Sequence, residues 1–212
     1  MAQSYIDQAR NRFWDPATTA VVFSECQVGV LGPDTVLPAL YEAAKLVLPT
    51  IERLAHIARA AGATVVHATF DGLKGAEHPG SSPLWRALLP ATREWGDNSP
   101  GAQVLPQLLG DGDLVLPRHQ GLNPAASSDL LPVLRGRGIR TVVLAGASLN
   151  VAIPLAAGEA VQQGFDVVVI SDASVAVPAE YAQHALKHSL SMIARIVTTD
   201  ELEAGLGAGA GR

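Results

Sequence analysis

Six short apolar runs constrain this chain more than any other feature of its sequence: 19–23 (TAVVF), 63–70 (ATVVHATF), 113–116 (DLVL), 141–144 (TVVL), 166–170 (DVVVI) and 195–198 (RIVT). Several are apolar on consecutive residues rather than on every second one. A strand with one wet face alternates, whereas a strand covered on both faces does not, and the second pattern belongs to parallel sheets. The segments between the runs carry helical spacing. Leu37, Leu40, Ala44, Val47, Leu48, Ile51, Leu54, Ala55 and Ala58 form one stripe, with Asp34 or Thr35 available as a cap and Pro49 placed to kink or divide it. Further helices are predicted over 129–137, closed by Gly138, over 150–163, closed by Gly164, and over 178–194, with Pro178 near its first turn. Strands alternating with helices give an α/β class: a doubly wound, six-stranded, mostly parallel sheet with helices on both faces, a Rossmann-like three-layer arrangement.

The 212 residues suit one such domain, and 48% hydrophobic content against 17% charged is enough to fill its core. A single domain over 1–212 is expected, with a core of about 18–201, an N-terminal extension over 1–16 and a flexible tail over 203–212, where GLGAGAGR offers little side chain to anchor it. The stretch 72–112 is rich in Gly, Pro and Ser and holds Trp85 and Trp95; it reads as a short helix plus long loops covering a pocket or an oligomer contact. A net charge of −5 argues against a nucleic-acid or anionic-membrane binder, which needs a basic field. No run approaches the roughly twenty apolar residues of a spanning helix. The amino-terminal MAQSYIDQARNRFWDP carries charges throughout, unlike a signal peptide, so a cytoplasmic protein is expected. One cysteine cannot make an internal disulfide, no Cys/His spacing suggests structural zinc, and no cofactor is indicated.

In an open sheet of this class the ligand crevice lies beyond the carboxyl ends of the strands, which selects residues 24–27, 70–72, 117–120, 146–151 and 171–173. Glu25 follows the first run directly. A carboxylate where an apolar strand emerges is partly desolvated and suits acid/base work; the alternative is a surface glutamate in a strand-to-loop turn. Arg118 and His119 follow the third run. Either holds an anionic group or pairs with Glu25 across the crevice, and the alternative is a solvated loop. Residues 146–152 (GASLNVA) join the fourth run to a helix, so the N–H groups at that helix start, with Ala147, Ser148 and Asn150 around them, are placed to stabilise an anion or oxyanion. Cys26 neighbours Glu25 on an extended segment, so it points the other way, into packing beneath a helix, and reads as inert. His184 and His188 stand four apart on a helix but opposite its apolar stripe, on a solvated face. Asp71, His67 and His78 make a poor metal set, with no second ligand two residues beyond Asp71, and no metal is expected. Pocket walls are expected from 31–36, 85–95 (Trp95 included) and 121–123.

Two stretches, WGDNSPGAQVLPQLLGDGDLVLPRHQGLNPAASSDL and LLPVLRGRGIRTVVLAGASLNVAIPLAAGEAVQQGFDVVVISDA, carry a PGA-type turn, a DLVxP strand, an L..LR..GI helix, a VVLAG strand and an A...GFDVVVISDA unit, in that order. The order resembles the isochorismatase-like cysteine hydrolase superfamily, which includes nicotinamidases, carbamoyl-amide hydrolases and isochorismatases, over about 18–201. The resemblance implies a six-stranded parallel sheet, a small-molecule substrate and a homo-oligomer, dimer or tetramer. Family hydrolases use an Asp after strand one, a Lys after strand three and a Cys nucleophile at the start of the helix after strand four. By resemblance these positions fall on Glu25 in VVFSECQ, Arg118 in VLPRHQG and Ala152 in GASLNVAI. The resemblance also puts a cis peptide at Ala147–Ser148 and an oxyanion donor at the Ala152 N–H. Ala152 cannot form a thioester, which excludes a covalent acyl-enzyme at that position. Two expectations remain. One is a thiol-independent hydrolase of the vinyl-ether type, with Glu25 as the acid, Arg118 holding a substrate carboxylate and Ala152 as a small floor. The other is a catalytically inactive member, a pseudoenzyme, that binds a small molecule or serves as an oligomeric structural protein.

Overall fold

The computed structural model describes residues 14–74, 81–126 and 128–209. Six strands form one sheet: β1 Thr19–Ser24, β2 Thr64–Phe70, β3 Leu114–Arg118, β4 Thr141–Ala147, β5 Asp166–Val175 and β6 Arg195–Val197. Every pairing is parallel, and the spatial order is β3-β2-β1-β4-β5-β6. The chain therefore winds outward from β1 in both directions, and the order reverses between β1 and β4, where a crevice opens at the carboxyl ends. The predicted runs are these strands with shifted ends: β3 continues to Arg118, and β5 continues past Ile170 to Val175. Central β1 is buried along its whole length, as its unbroken apolar pattern demands. Val21 and Phe23 pack on one side and Ala20 and Val22 on the other, because the pleat sends successive side chains to opposite faces.

The helices are α1 Val28–Leu31, α2 Pro38–Ala44, α3 Leu48–Ala61, α4 Pro83–Thr92, α5 Leu130–Gly136, α6 Ala152–Gln162, α7 Tyr181–His188 and α8 Thr199–Gly209. Leu40, Ala44, Ile51 and Leu54 of α2 and α3 join Val21 and Phe23 in the first core, with Leu202 and Leu206 of α8. Leu131, Leu134, Ile153, Ala157 and Ala185 of α5, α6 and α7 complete the second. Pro49 divides the predicted stripe by opening α3 in its first turn, where the missing N–H has no intrahelical partner to lose. Thr35 caps neither helix directly: its hydroxyl accepts from the Leu37 N–H at 2.9 Å and donates to the Val30 carbonyl at 2.7 Å. The helix predicted over 178–194 is shorter, because Ser189 leaves the helical region and a 3-10 turn, Leu190–Met192, tucks Leu190 into the core.

The expectation of a loose tail over 203–212 is corrected for 203–209, which continue α8. Leu202 and Leu206, four apart, are 0% and 1% exposed and dock one helix face on the sheet, and that anchorage outweighs the glycines around it. Residues 1–13 of the expected N-terminal extension, and 210–212, lie outside the described residues.

A buried polar cluster sits where β3 begins. Asp113, 2% exposed, accepts from Arg59 Nη2 at 2.6 Å, from the Gly110 N–H at 2.9 Å and from His67 Nε2 at 2.9 Å. Burial holds the His67 imidazole below its ordinary pKa against the pull of Asp113, so the neutral ring donates through Nε2. Burial alone would raise the Asp113 pKa, but the Arg59 guanidinium, His67 and the Gly110 N–H outweigh it and hold the carboxyl low. Both folded pKa values lie below their unfolded ones, so each group's contribution is complete above its unfolded pKa and is lost as pH falls through the folded one. Stability should therefore decline in two steps on acidification, the first beginning near 6.5 with His67 and the second below 3.8 with Asp113. Urea midpoints measured from pH 7.5 to 5.5 check the first step; a His67→Gln variant should flatten it, and an equal slope in that variant would assign the step elsewhere.

Candidate functional site

Glu25 leaves β1 with φ 51°, a left-handed backbone uncommon outside glycine. Its N–H donates to the Ala68 carbonyl at 2.9 Å, and its own carbonyl accepts from the Gln27 N–H at 2.9 Å. Gln27 is fully buried. Its amide accepts from the Phe70 N–H at 2.8 Å and donates to the carbonyls of Phe70 at 3.0 Å and Ala102 at 2.7 Å. This saturated amide stitches the ends of β1 and β2 to the turn at 100–102 and fixes where Glu25 emerges.

From that turn the Glu25 carboxylate reaches Arg118 at the end of β3. Arg118 Nη2 donates to Glu25 Oε1, and its Nε donates to the Gly121 carbonyl at 3.1 Å. The guanidinium stands 5.2 Å from the Phe70 ring centroid. The two side chains are 4% and 17% exposed for Arg118 and Glu25, and Arg118 Nη1 is buried with no partner. On the β4 side, Ser24 Oγ donates to the Ala147 carbonyl at 2.6 Å, and the Ala147–Ser148 peptide is cis. The chain then turns into α6, whose first residue is Ala152 and whose N-cap, Val151, supplies no side-chain hydrogen bond. The first-turn N–H groups of α6 thus lack a side-chain cap at the crevice.

These ends enclose a cavity of about 470 Å³. Glu25, Arg118, Ser148, Asn150 and Ala152 line one end. Val36 to Leu40, then Trp85, Leu88 and Thr92 of α4, with Trp95, Phe70 and Leu122, form an apolar wall. The stretch 72–112 thus contributes a helix and a tryptophan to the pocket. Trp95 seats where it does because Gly29 and Gly101 lie flat beneath its ring: a Cβ on either would come within 2.4 and 2.7 Å of ring atoms.

Two sequence candidates do not present side chains here. His119 lies outside the cavity wall, with its Nδ1 3.0 Å from the Gly72 carbonyl, and the Ala147 methyl packs in the first core. Asn150 borders the cavity, yet its amide is engaged with Val177, donating to its carbonyl at 2.6 Å and accepting from its N–H at 2.9 Å. Its role is to hold the wall. Of the windows expected to line the pocket, Val36, Trp85, Leu88, Thr92, Trp95 and Leu122 do so, while Val30, residues 37–40, Leu84 and Val177 lie outside those windows.

Cys26 is 2% exposed within the first core and lies outside the cavity wall. Its Sγ lies 3.6 Å from the Ser24 carbonyl, and burial, reinforced by the charge of Glu25, pushes the thiol up to about 12. At neutral pH it is a protonated packing group. His184 and His188 are exposed, with ring centroids 5.9 Å apart. His78 lies outside the described residues, and among those described no three His, Cys, Asp or Glu side chains are grouped to hold a metal ion.

A family model, the Isochorismatase domain, matches residues 19–201. The chain belongs to the isochorismatase family. It is 30% identical over 195 residues to the uncharacterized isochorismatase family protein YecD of Escherichia coli O157:H7, covering 87% of this chain and 94% of that one. Its fold is similar to a cysteine hydrolase from Pseudomonas syringae pv. phaseolicola, with a TM-score of 0.78 at 19% identity, covering 92% and 95% of the two chains. It is also similar to an isochorismatase family protein from Burkholderia thailandensis, with a TM-score of 0.71 at 25% identity, covering 90% and 96%. In this isochorismatase-family chain, then, the crevice carries a carboxylate, a guanidinium and a helix start without a side-chain cap, and no sulfur among the described residues that line it.

Proposed function

We propose that this isochorismatase-family protein binds a small molecule in the cleft and does not run the family's cysteine chemistry. One observation carries the reading: a methyl group, that of Ala152, stands in the cavity wall at the start of α6, and the sole thiol is in the core. Acyl transfer through sulfur needs a thiolate within reach of the bound carbonyl, and a buried thiol near 12 supplies neither access nor charge. The resemblance that maps the family's Asp, Lys and Cys onto Glu25, Arg118 and Ala152 supports the same conclusion. The test is ammonia release from nicotinamide and from an N-carbamoyl amino acid, with mass spectrometry for an acyl adduct. Neither should appear. Ammonia release by the natural protein that vanishes in Cys26→Ser would overturn the reading.

A second reading is favoured by one observation, the Glu25 carboxylate opening on the cavity. A carboxyl group there suits protonation of an enol-ether carbon followed by attack of water on the resulting oxocarbenium, with Arg118 holding a substrate carboxylate. The ion pair with Arg118 weighs against it, because the acid must be free to give its proton. Pyruvate release from isochorismate or chorismate above a Glu25→Gln control decides for it. The resemblance further supports a homo-oligomer, dimer or tetramer, which sedimentation velocity measures. No helix among the described residues is long and apolar enough to cross a membrane.

A further inference from the structure

The cavity wall contains two ionisable side chains among the described residues, Glu25 and Arg118, and they are bonded to each other. The wall is therefore neutral. Of its remaining polar side chains, the Asn150 amide is engaged at both ends with Val177, the Thr92 hydroxyl donates to the Leu88 carbonyl at 3.1 Å, and Ser148 carries an uncharged hydroxyl. The rest is aromatic and aliphatic, Trp85, Trp95 and Phe70 among it. Two kinds of donor remain at this end: the buried guanidinium Nη1, which has no partner, and the backbone N–H groups at the start of α6, which carry no full charge.

We propose that Glu25 is a charge-selectivity residue: by neutralising Arg118 it restricts the cleft to uncharged, ring-bearing carbonyl compounds and rejects carboxylates. This deepens the binding reading given above and rests on it. A ligand carboxylate entering the wild-type cleft meets a cation whose partner is already in place. It must displace Glu25 or go without a full opposite charge, with only the α6 N–H groups to meet it, and both cost free energy. A neutral carbonyl oxygen accepts from the guanidinium without breaking the pair, while its ring packs on the tryptophans. Removing the charge of Glu25 frees the guanidinium for bidentate capture of a carboxylate, so the preference should invert.

Two probes of matched skeleton separate these cases: 5-phenylpentan-2-one, and 4-phenylbutanoate, in which a carboxylate replaces the acetyl group. Binding is read by tryptophan fluorescence and calorimetry at pH 7.5. The natural protein should bind the ketone at least about tenfold more tightly than the carboxylate. Glu25→Gln, checked for folding by circular dichroism, should reverse the order, and Glu25→Asp, which keeps the charge, should preserve it. A carboxylate preference in the natural protein, or a ratio unchanged in Glu25→Gln, overturns the selectivity proposal while leaving the binding reading standing. Absence of binding by both probes at 10 mM, on the order of the weakest affinities worth counting, overturns both.

Discussion

Replacing Arg118 by methionine should lower the free energy of unfolding by about 3 kcal/mol, the scale expected when one member of a buried ion pair is removed and the other is left behind. The loss has two sources. Glu25, 17% exposed, keeps its charge at a cavity mouth with no cation to match it, and the Gly121 carbonyl loses the Nε donor at 3.1 Å. The apolar stem of methionine retains packing near Phe70, so the substitution isolates the polar terms. Adding Glu25→Gln to Arg118→Met should recover at least about 1 kcal/mol, because the stranded charge is then gone. Arg118→Lys should fall between, since a compact ammonium replaces the fork that serves Glu25 and Gly121 together. Urea unfolding with an unchanged slope is the measurement. An Arg118→Met protein as stable as the natural one would mean that the pair contributes nothing and that Glu25 does not neutralise the wall through it.

Much of this arrangement was legible in the sequence because position in a parallel strand does most of the work. Glu25 and Arg118 end strands whose apolar runs are unmistakable, and the carboxyl ends of such strands converge on one crevice. Cys26 lies in the core while Glu25 lines the cleft, but alternation along β1 is not the reason. The strand ends at Ser24, and Cys26 packs with Val21 and Phe23, on the face alternation would have given to Glu25, because Glu25 turns left-handed at φ 51°. β3 continues to Arg118, two residues beyond the apolar run, and His119 is the first residue past the strand, where its ring meets the Gly72 carbonyl and not the cleft. Residues 37–40 were missed for another reason. Their stripe positions look the same whether the apolar face meets the sheet or a cavity, and Leu40 in fact serves both the first core and the pocket wall. Gln27 carries no hydrophobic signal, and its role depends on backbone groups from 70 and 102, which no local pattern joins to it. In the tail, two leucines with helical spacing outweigh the glycines around them, so periodicity and not composition decides its structure.

The site also depends on a residue with no side chain. Gly146 lies within β4 at φ +96°, opposite Ser24 of β1, and the pairing of β4 with β5 shifts register between Leu144 and Gly146. A Cβ there would stand 2.5 Å from the Ser24 carbonyl oxygen and 2.7 Å from Cys26 Sγ; the first is backbone of the paired strand and the second belongs to a side chain buried in the core. Gly146→Ala should therefore cost about 3 kcal/mol, of which about 1 kcal/mol is the left-handed backbone and the remainder the forced separation of β1 and β4. Gly138→Ala supplies the comparison: Gly138 has φ +75° after α5, but nothing lies within 4 Å of its Cβ position, so it should lose only the backbone share. The consequence for function is directional. Parting β1 from β4 strains the bond from Ser24 Oγ to the Ala147 carbonyl and moves the start of α6 away from Glu25. Gly146→Ala should then weaken probe binding in the cleft while Gly138→Ala leaves it unchanged, as calorimetric titration of the two variants would show. Equal destabilisation of both would mean that β4 has room to yield, and the close approach of the two central strands would not be what sets the geometry of the crevice.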